Sequence, residues 1–167
     1  MTDDLADRIA TLEERVRRLE QAGTPEPADA SEVFWALEGL KSRLPDGGVL
    51  FTGAVPLPTG EHYEWQAGVP AEELVDTDWE ELASDRAATL GALGHPVRLL
   101  LVGLILTGTR TVTELQRNPA LGTTGQLYHH LRQLVSAGWL RAAGRGRYAV
   151  PPEKVIPLLV VLAAARR

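Results

Sequence analysis

Eighteen residues near the C-terminal end, Thr123–Leu140 (T-T-G-Q-L-Y-H-H-L-R-Q-L-V-S-A-G-W-L), leave this chain little choice of local structure. Leu127, His130, Leu131 and Leu134 fall at i, i+3, i+4 and i+7, which makes one apolar stripe on an α-helix. Thr123 with Gln126 three residues later forms a capping box and fixes where the helix begins. Ala137-Gly138 ends it, because glycine adopts the left-handed backbone that closes a helix. Gly125, His129, Arg132 and Ser136, flanked by Gln126, Tyr128 and Gln133, occupy the opposite side. That side offers amide, imidazole, phenol and guanidinium groups, the kinds that pair with base edges in the major groove. A plain solvated polar face is the other reading, so the flanking sequence has to decide.

Charge is the first flanking argument. The chain of 167 residues has a formal net charge of −5, but the two ends differ sharply. Residues 1–90 hold 20 Asp/Glu and 7 Lys/Arg, while residues 91–167 hold 2 Asp/Glu and 10 Lys/Arg. A polyanion surface is therefore expected in the C-terminal half alone. There is no cysteine, which excludes disulfides, thiolate metal sites and cysteine catalysis. The start of the chain lacks a basic-then-apolar signal pattern, and the longest apolar run, Val155–Ala165, is too short to span a bilayer. A cytoplasmic, nucleoid-associated protein with no membrane partner is expected.

The N-terminal residues 1–22 read as a coiled-coil dimerisation helix. Leu5, Ile9, Leu12, Val16 and Leu19 alternate spacings of four and three, with Leu at d and Ile or Val at a, the choice that favours two parallel strands. Arg8 and Arg15 at g would then face Glu13 and Glu20 of a second copy. A lone amphipathic helix packed on its own domain is the alternative. Residues 23–31 are a linker, since A-G-T-P-E-P-A-D-A carries two prolines and no apolar period.

Residues 32–76 are expected to form a small module of one helix and one β-hairpin. Glu32–Leu44 reads as the helix, with Val33, Phe34, Leu37, Leu40 and Leu44 inward. Val49–Leu57 and Glu61–Ala67 read as strands around Pro58-Thr59-Gly60. A lone hairpin is marginal, so it must pack on the preceding helix or pair across a dimer. Trp35, Tyr63 and Trp65 could make an aromatic surface for a small molecule or a partner. The plainer reading is a bracing element.

Residues 77–167 hold the rest. Thr77-Asp78-Trp79-Glu80 is a capping box for a helix running to about Leu93. The phrase A-L-G-H-P-V-R-L-L-L-V-G-L-I-L then opens a new helix at Pro96. Its Leu99, Leu100, Val102, Gly103, Leu104 and Leu106 are apolar nearly all round, which predicts central burial. Arg98 near its start suits a phosphate or a surface ion pair. Thr111-Val112-Thr113-Glu114 caps a short helix, and Asn118–Gly122 turns into the helix described first. Helix, short turn and capped helix with a polar outer face is a helix-turn-helix pattern. Leu140–Ala143 and Arg147–Val150 flank Gly144-Arg145-Gly146 as a tight hairpin, with Arg141, Arg145 and Arg147 at or beside its tip, placed for phosphates or the minor groove.

From about Leu90 to Leu162 the sequence resembles the winged helix-turn-helix of the ArsR/SmtB class of bacterial transcriptional repressors. A-L-G-H-P-V-R-L-L-L-V, T-E-L with L-G-T-T-G-Q-L-Y-H-H-L-R-Q-L-V-S-A-G-W-L, and G-R-G-R-Y-A-V carry the resemblance, over a little under half of the chain. It implies that Thr124, Gly125, Gln126, Tyr128, His129 and Arg132 face DNA, and that His130 and Leu131 are an interior pair, His130 being a satisfied core histidine. Metal-sensing members use cysteine pairs, or His and acidic ligands in the last helix. Here Pro157–Arg167 has no His, Asp or Glu, so neither metal sensing nor any cofactor is expected. The class dimerises through its terminal helices, which gives Ile156, Leu159 and Leu162 a role at a partner subunit.

The expected fold is α+β, mainly α: a winged helix-turn-helix domain with an N-terminal coiled-coil helix and a small helix plus β-hairpin module. The expected function is a homodimeric, sequence-specific regulator of transcription, a repressor by resemblance, bound to double-stranded DNA and not an enzyme. Helix 123–137 would enter the major groove and hairpin 141–149 would touch the backbone or minor groove. Thr123, Thr124, Gly125, Gln126, Tyr128, His129, Arg132, Arg141, Arg145 and Arg147 would form the DNA surface. A winged-helix scaffold for protein interaction is one alternative. A regulator sensing a small-molecule effector through residues 32–76 is another. No G-x-S-x-G, P-loop or H-E-x-x-H is present to support catalysis.

Overall fold

Side-chain caps open five of the helical segments among the described residues, at Asp78, His95, Thr111, Asn118 and Thr123. A computed structural model describes residues 8–9, 11–17 and 33–166. The fold is α+β and mainly helical. Its described residues fall into two units, one ending at Pro45 and one starting at Asp46.

In the first unit residues 11–17 are helical, and Ile9, Leu12 and Val16 stand exposed at spacings of three and four. Leu5 and Leu19 of the expected heptad lie outside the described residues. Helix α1 (Trp35–Arg43) follows, and none of its residues is buried. The expected inward set is realised only in part: Leu40 and Leu44 are half-buried, while Val33, Phe34 and Leu37 are exposed. A nine-residue helix is short for independent stability.

The second unit begins with an antiparallel hairpin of β1 (Gly48–Pro56) and β2 (His62–Pro70), in which Gly53 pairs with Trp65 and Val55 with Tyr63. Helices α2 (Glu72–Val75), α3 (Trp79–Leu93), α4 (Pro96–Leu106) and α5 (Val112–Leu115) follow. A 3₁₀ turn (Pro119–Leu121) leads into α6 (Thr124–Ser136). A second hairpin, β3 (Arg141–Ala142) with β4 (Tyr148–Ala149), precedes the last helix, α7 (Pro152–Ala164). Among the described residues no single helix is long and apolar enough to cross a membrane.

The first hairpin does not belong with the helix before it. It lies against α7, and the reason is steric: a Cβ on Gly53 would stand 2.8 Å from Ile156 Cγ2, so only glycine lets the helix this close. Ile156 is accordingly buried inside its own chain rather than held out for a partner subunit. Residues 46–76 therefore fall in one unit with the C-terminal elements, and helix α1 of the expected 32–76 module falls in the other.

An ion pair fixes the hairpin's turn. Arg110 Nη1 and Nη2 donate to Glu61 Oε1 and Oε2, each at 2.8 Å, and the Thr59 hydroxyl donates to the same carboxylate. Hydrogen bonds from Arg110 and then Thr59 hold the Glu61 pKa down to about 2, well below its ordinary 4.5. Because the Glu61 side chain is 37% exposed, solvent screens the pair, and about 1 kcal/mol is a fair value for its net worth. A carboxylate with a lowered folded pKa stabilises the fold above its unfolded pKa and stops doing so as pH falls through the folded one. We expect Glu61→Gln to lower the urea midpoint at pH 7 and the gap to wild type to close between pH 4.5 and about 2. A gap unchanged across that range would show that the pair contributes nothing.

The core lies between α4, α6 and α7. Leu101, Ile105, Leu115, Leu131, Leu134 and Leu158 are fully buried there, with Leu127, Leu121 and Val155 nearly so. Each such side chain stabilises the fold by roughly 1.5–3 kcal/mol. Helix α4 is less enclosed than its composition predicts, for Leu99, Leu100 and Gly103 face outward while Leu101, Val102 and Ile105 face in. An apolar composition does not by itself say how many neighbours a helix has. Trp139, just beyond α6, donates its indole N–H to Thr89 O at 2.8 Å and ties that end to α3.

Candidate nucleic-acid interface

Helix α6 starts where its capping box requires. Thr123 Oγ1 accepts the N–H of Gln126, and the Gln126 side chain reaches back to Thr123 N at 2.8 Å. The same device opens α5, where Thr111 and Glu114 satisfy each other. At α3 the cap sits one residue later than expected. Asp78, not Thr77, accepts from Glu80 N and Glu81 N, a carboxylate at a helix N-terminus being favoured by the helix dipole as well. His95 caps α4 in a way the sequence reading missed, its Nδ1 accepting from Val97 N at 3.1 Å.

With Leu127, Leu131 and Leu134 turned inward, α6 presents Thr124, Gly125, Gln126, Tyr128, His129, Arg132 and Gln133 to solvent. These groups are not equally available. Thr124 Oγ1 accepts from Gln116 Nε2 at 3.3 Å, which ties α6 to α5. Gln126 spends its carbonyl oxygen on Thr123 and keeps only its NH₂ outward. Gln133 accepts from Arg98 Nη1 at 2.7 Å. Arg132 is exposed and has no hydrogen bond or ion pair among the described residues. A Cβ on Gly125 would meet nothing within 4 Å, so a large group can approach the helix there.

Arg98 makes no ion pair among the described residues and is bonded within the chain instead. Besides Gln133, its guanidinium donates to Gly91 O at 2.8 Å and to Ala92 O. Both carbonyls lie in the last turn of α3, where Gly91 O also accepts from Gly94 N at 3.1 Å. Arg98 therefore holds α6 to the end of α3.

His130 departs from the expected satisfied core histidine. Its Nδ1 is buried without a hydrogen-bond partner among the described residues, and its ring lies 4.9 Å from His95 and 5.7 Å from His129. Burial, then the neighbouring His95, His129 and Arg98, push its pKa below the ordinary 6.5, so the imidazole is neutral at pH 7.

The second hairpin projects beside α5. Thr111 bridges to Arg147, Val112 N donates to Gly146 O at 3.0 Å, and Tyr148 N donates to Arg110 O at 2.9 Å, so the residues before α5 act as a short third strand. Arg110 thus serves the hairpin base through its backbone and Glu61 through its side chain. At the tip the chain turns through Gly144, Arg145 and Gly146, all with positive φ, and Arg147 N donates to Gly144 O at 3.0 Å. Arg145 is the one non-glycine residue among those described with positive φ, at 48°. Left-handed backbone costs a residue with a Cβ roughly 1–2 kcal/mol. Arg141, Arg145 and Arg147 are exposed; Arg147 acts on Glu114, whose pKa is lowered mainly by Thr111 and slightly by Arg147, and Arg141 borders the same small cavity as Glu61.

The other expected residues are scattered. Trp35 and Trp65 are exposed on their respective units. Tyr63 packs against the core and lines a cavity of about 80 Å³ with Leu57, Ile105 and Val155, too small for a metabolite. Trp65 borders a different, shallow cleft with Thr52, Ala54 and Gln66. In α7 Leu159 is half-buried against the core, and Leu162 is 39% exposed. Among the described residues no group of His, Asp and Glu is placed to hold a metal ion. No family model, curated protein or solved structure matches the chain.

Proposed function

We infer that this chain is a sequence-specific, double-stranded-DNA-binding regulator of transcription, built on a winged helix-turn-helix of the ArsR/SmtB kind. Helix α5, the 3₁₀ turn and α6 correspond to the helix-turn-helix, with the β3–β4 hairpin as the wing. The observation that carries this reading is the outward set of groups on two adjoining elements. Arg132, His129, Tyr128 and the Gln126 amide lie on α6, and Arg141, Arg145 and Arg147 lie on the hairpin. The guanidinium groups suit phosphates and the α6 side chains suit base edges. Binding, not catalysis, is the activity proposed, with neither metal nor cofactor, in the cytoplasm.

Self-association completes the reading. Ile9, Leu12 and Val16 form an exposed apolar stripe with heptad spacing, which a second copy would cover as a parallel coiled coil. Two copies would set two α6 helices into successive major grooves about 34 Å apart. Selection from a random duplex pool should then return an imperfect palindrome with half-sites about one helical turn apart. A pool that shows no enrichment would remove the proposal.

Arg145 offers a separate test, because its strained backbone is worth keeping only if its side chain is used. Arg145→Gly should raise stability to urea by up to about 1 kcal/mol, the relief of left-handed strain being partly offset by glycine's entropy. The same variant should bind the selected duplex several-fold more weakly. A variant that gains stability and loses no affinity would separate the tip from DNA.

A further inference from the structure

The capping box that starts α6 also limits what Gln126 can read. The backbone N–H of Thr123 points at the Gln126 side chain at 2.8 Å and the Thr123 hydroxyl lies 3.1 Å from the same atom. A backbone N–H can only donate, so the atom it meets must be the amide oxygen, and no flipped assignment of the side chain is compatible with it. Two contacts fill that oxygen's two lone pairs. Glycine at position 122 makes this arrangement accessible, since a Cβ there would stand 2.4 Å from Gln126 Oε1. What remains for a ligand is an NH₂ group with two donors and no acceptor.

A glutamine reads adenine by accepting from N6 and donating to N7 at once. With its oxygen held, Gln126 cannot do this. Guanine alone presents two adjacent acceptors, O6 and N7, in the major groove. We propose that Gln126 is a donor-only reader and that the base pair opposite it is G·C with guanine facing α6. Gln126, His129 and Arg132 are spaced by three, an advance of about 4.5 Å per step, near enough to the base-pair rise for them to address successive pairs. Arg132, free and forked, suits a further guanine. The half-site is thus acceptor-rich, carrying guanines at both ends of the three-residue reading frame.

This inference rests on the DNA-binding reading, and one experiment separates the two. Full-length wild type, Gln126→Glu and Arg132→Ala would each be used to select from a random duplex pool, with Kd measured on the wild-type site. Glutamate keeps the capping box and has no donor, so Gln126→Glu should fold normally. It should bind the wild-type site about tenfold or more weakly and change the preferred base at one position from guanine to cytosine, whose N4 amino group a carboxylate accepts. Arg132→Ala should relax preference at a different position. Adenine at the position that responds to Gln126→Glu, or no response at all, would overturn the donor-only assignment while leaving DNA binding intact. Failure of wild type to enrich any sequence would overturn both.

Discussion

Leu131→Ala should lower the stability of this protein by about 3–5 kcal/mol, whereas Arg132→Ala, one residue further on, should change it by less than about 0.5 kcal/mol. Leu131 is fully buried at the centre of α6, with Leu127 and Leu134 a turn to either side, and its removal leaves a cavity among α4, α6 and α7. Arg132 is exposed and holds no partner among the described residues. Against a total stability of about 5–15 kcal/mol, the leucine substitution is a large fraction. Thermal melts should show a fall of roughly 10–20 °C for Leu131→Ala and almost none for Arg132→Ala. The contrast matters for function as well as fold. If both variants weaken DNA binding, only the stable one shows that the outer face of α6 makes the contact.

The second large effect concerns the hairpin. Removing Arg141, Arg145 and Arg147 together takes three exposed guanidinium groups from each copy, six from a dimer. Each phosphate contact contributes about 0.9 to the slope of log affinity against log salt. The triple alanine variant should therefore bind with a slope shallower by about 5, and at low salt with an affinity lower by several orders of magnitude. Its sequence preference should survive, because phosphates carry no direct sequence information. Filter-binding titrations between 50 and 300 mM salt measure both quantities. An unchanged slope would mean that the hairpin stands clear of the duplex.

Local signals made the second unit largely legible. The capping boxes at Thr111 and Thr123, Pro96 at a helix start, and Gly144-Arg145-Gly146 between short strands are all written within a few residues, and all stand where expected. The outward face of α6 followed from the same periodicity that placed Leu127, Leu131 and Leu134 inside. What the residues could not announce was contact at long range. Glu61 and Arg110 are 49 positions apart, and nothing in either neighbourhood names the other. Gly53 gave no sign that α7 would lie against it. Ile156 consequently looked like an interface residue, when it fills the space that glycine leaves. Arg98 suits a phosphate or a surface ion pair by its charge alone, because a sequence does not show the last-turn carbonyls of a neighbouring helix that its guanidinium meets.

At the candidate site, exposure was more legible than hydrogen bonding. All ten expected residues are exposed or half-buried on α6, at its cap and on the hairpin. Their hydrogen bonds, however, divide them into committed groups (Thr123, Thr124 and the Gln126 oxygen) and free ones (Arg132 and the arginines of the tip). The binding reading uses the free ones. The acid-rich stretch from Glu72 to Asp85 lies on α2 and α3, and its like charge to DNA requires that those helices point away from the duplex.

The most direct test of the central claim is a map of which backbone amides respond when duplex DNA is added to the ¹⁵N-labelled protein. The account predicts that the largest chemical-shift changes cluster on residues 124–133 and 141–148, grow with DNA concentration to saturation and collapse in high salt. Changes confined to the first hairpin or to α7, or no changes at low salt, would contradict it.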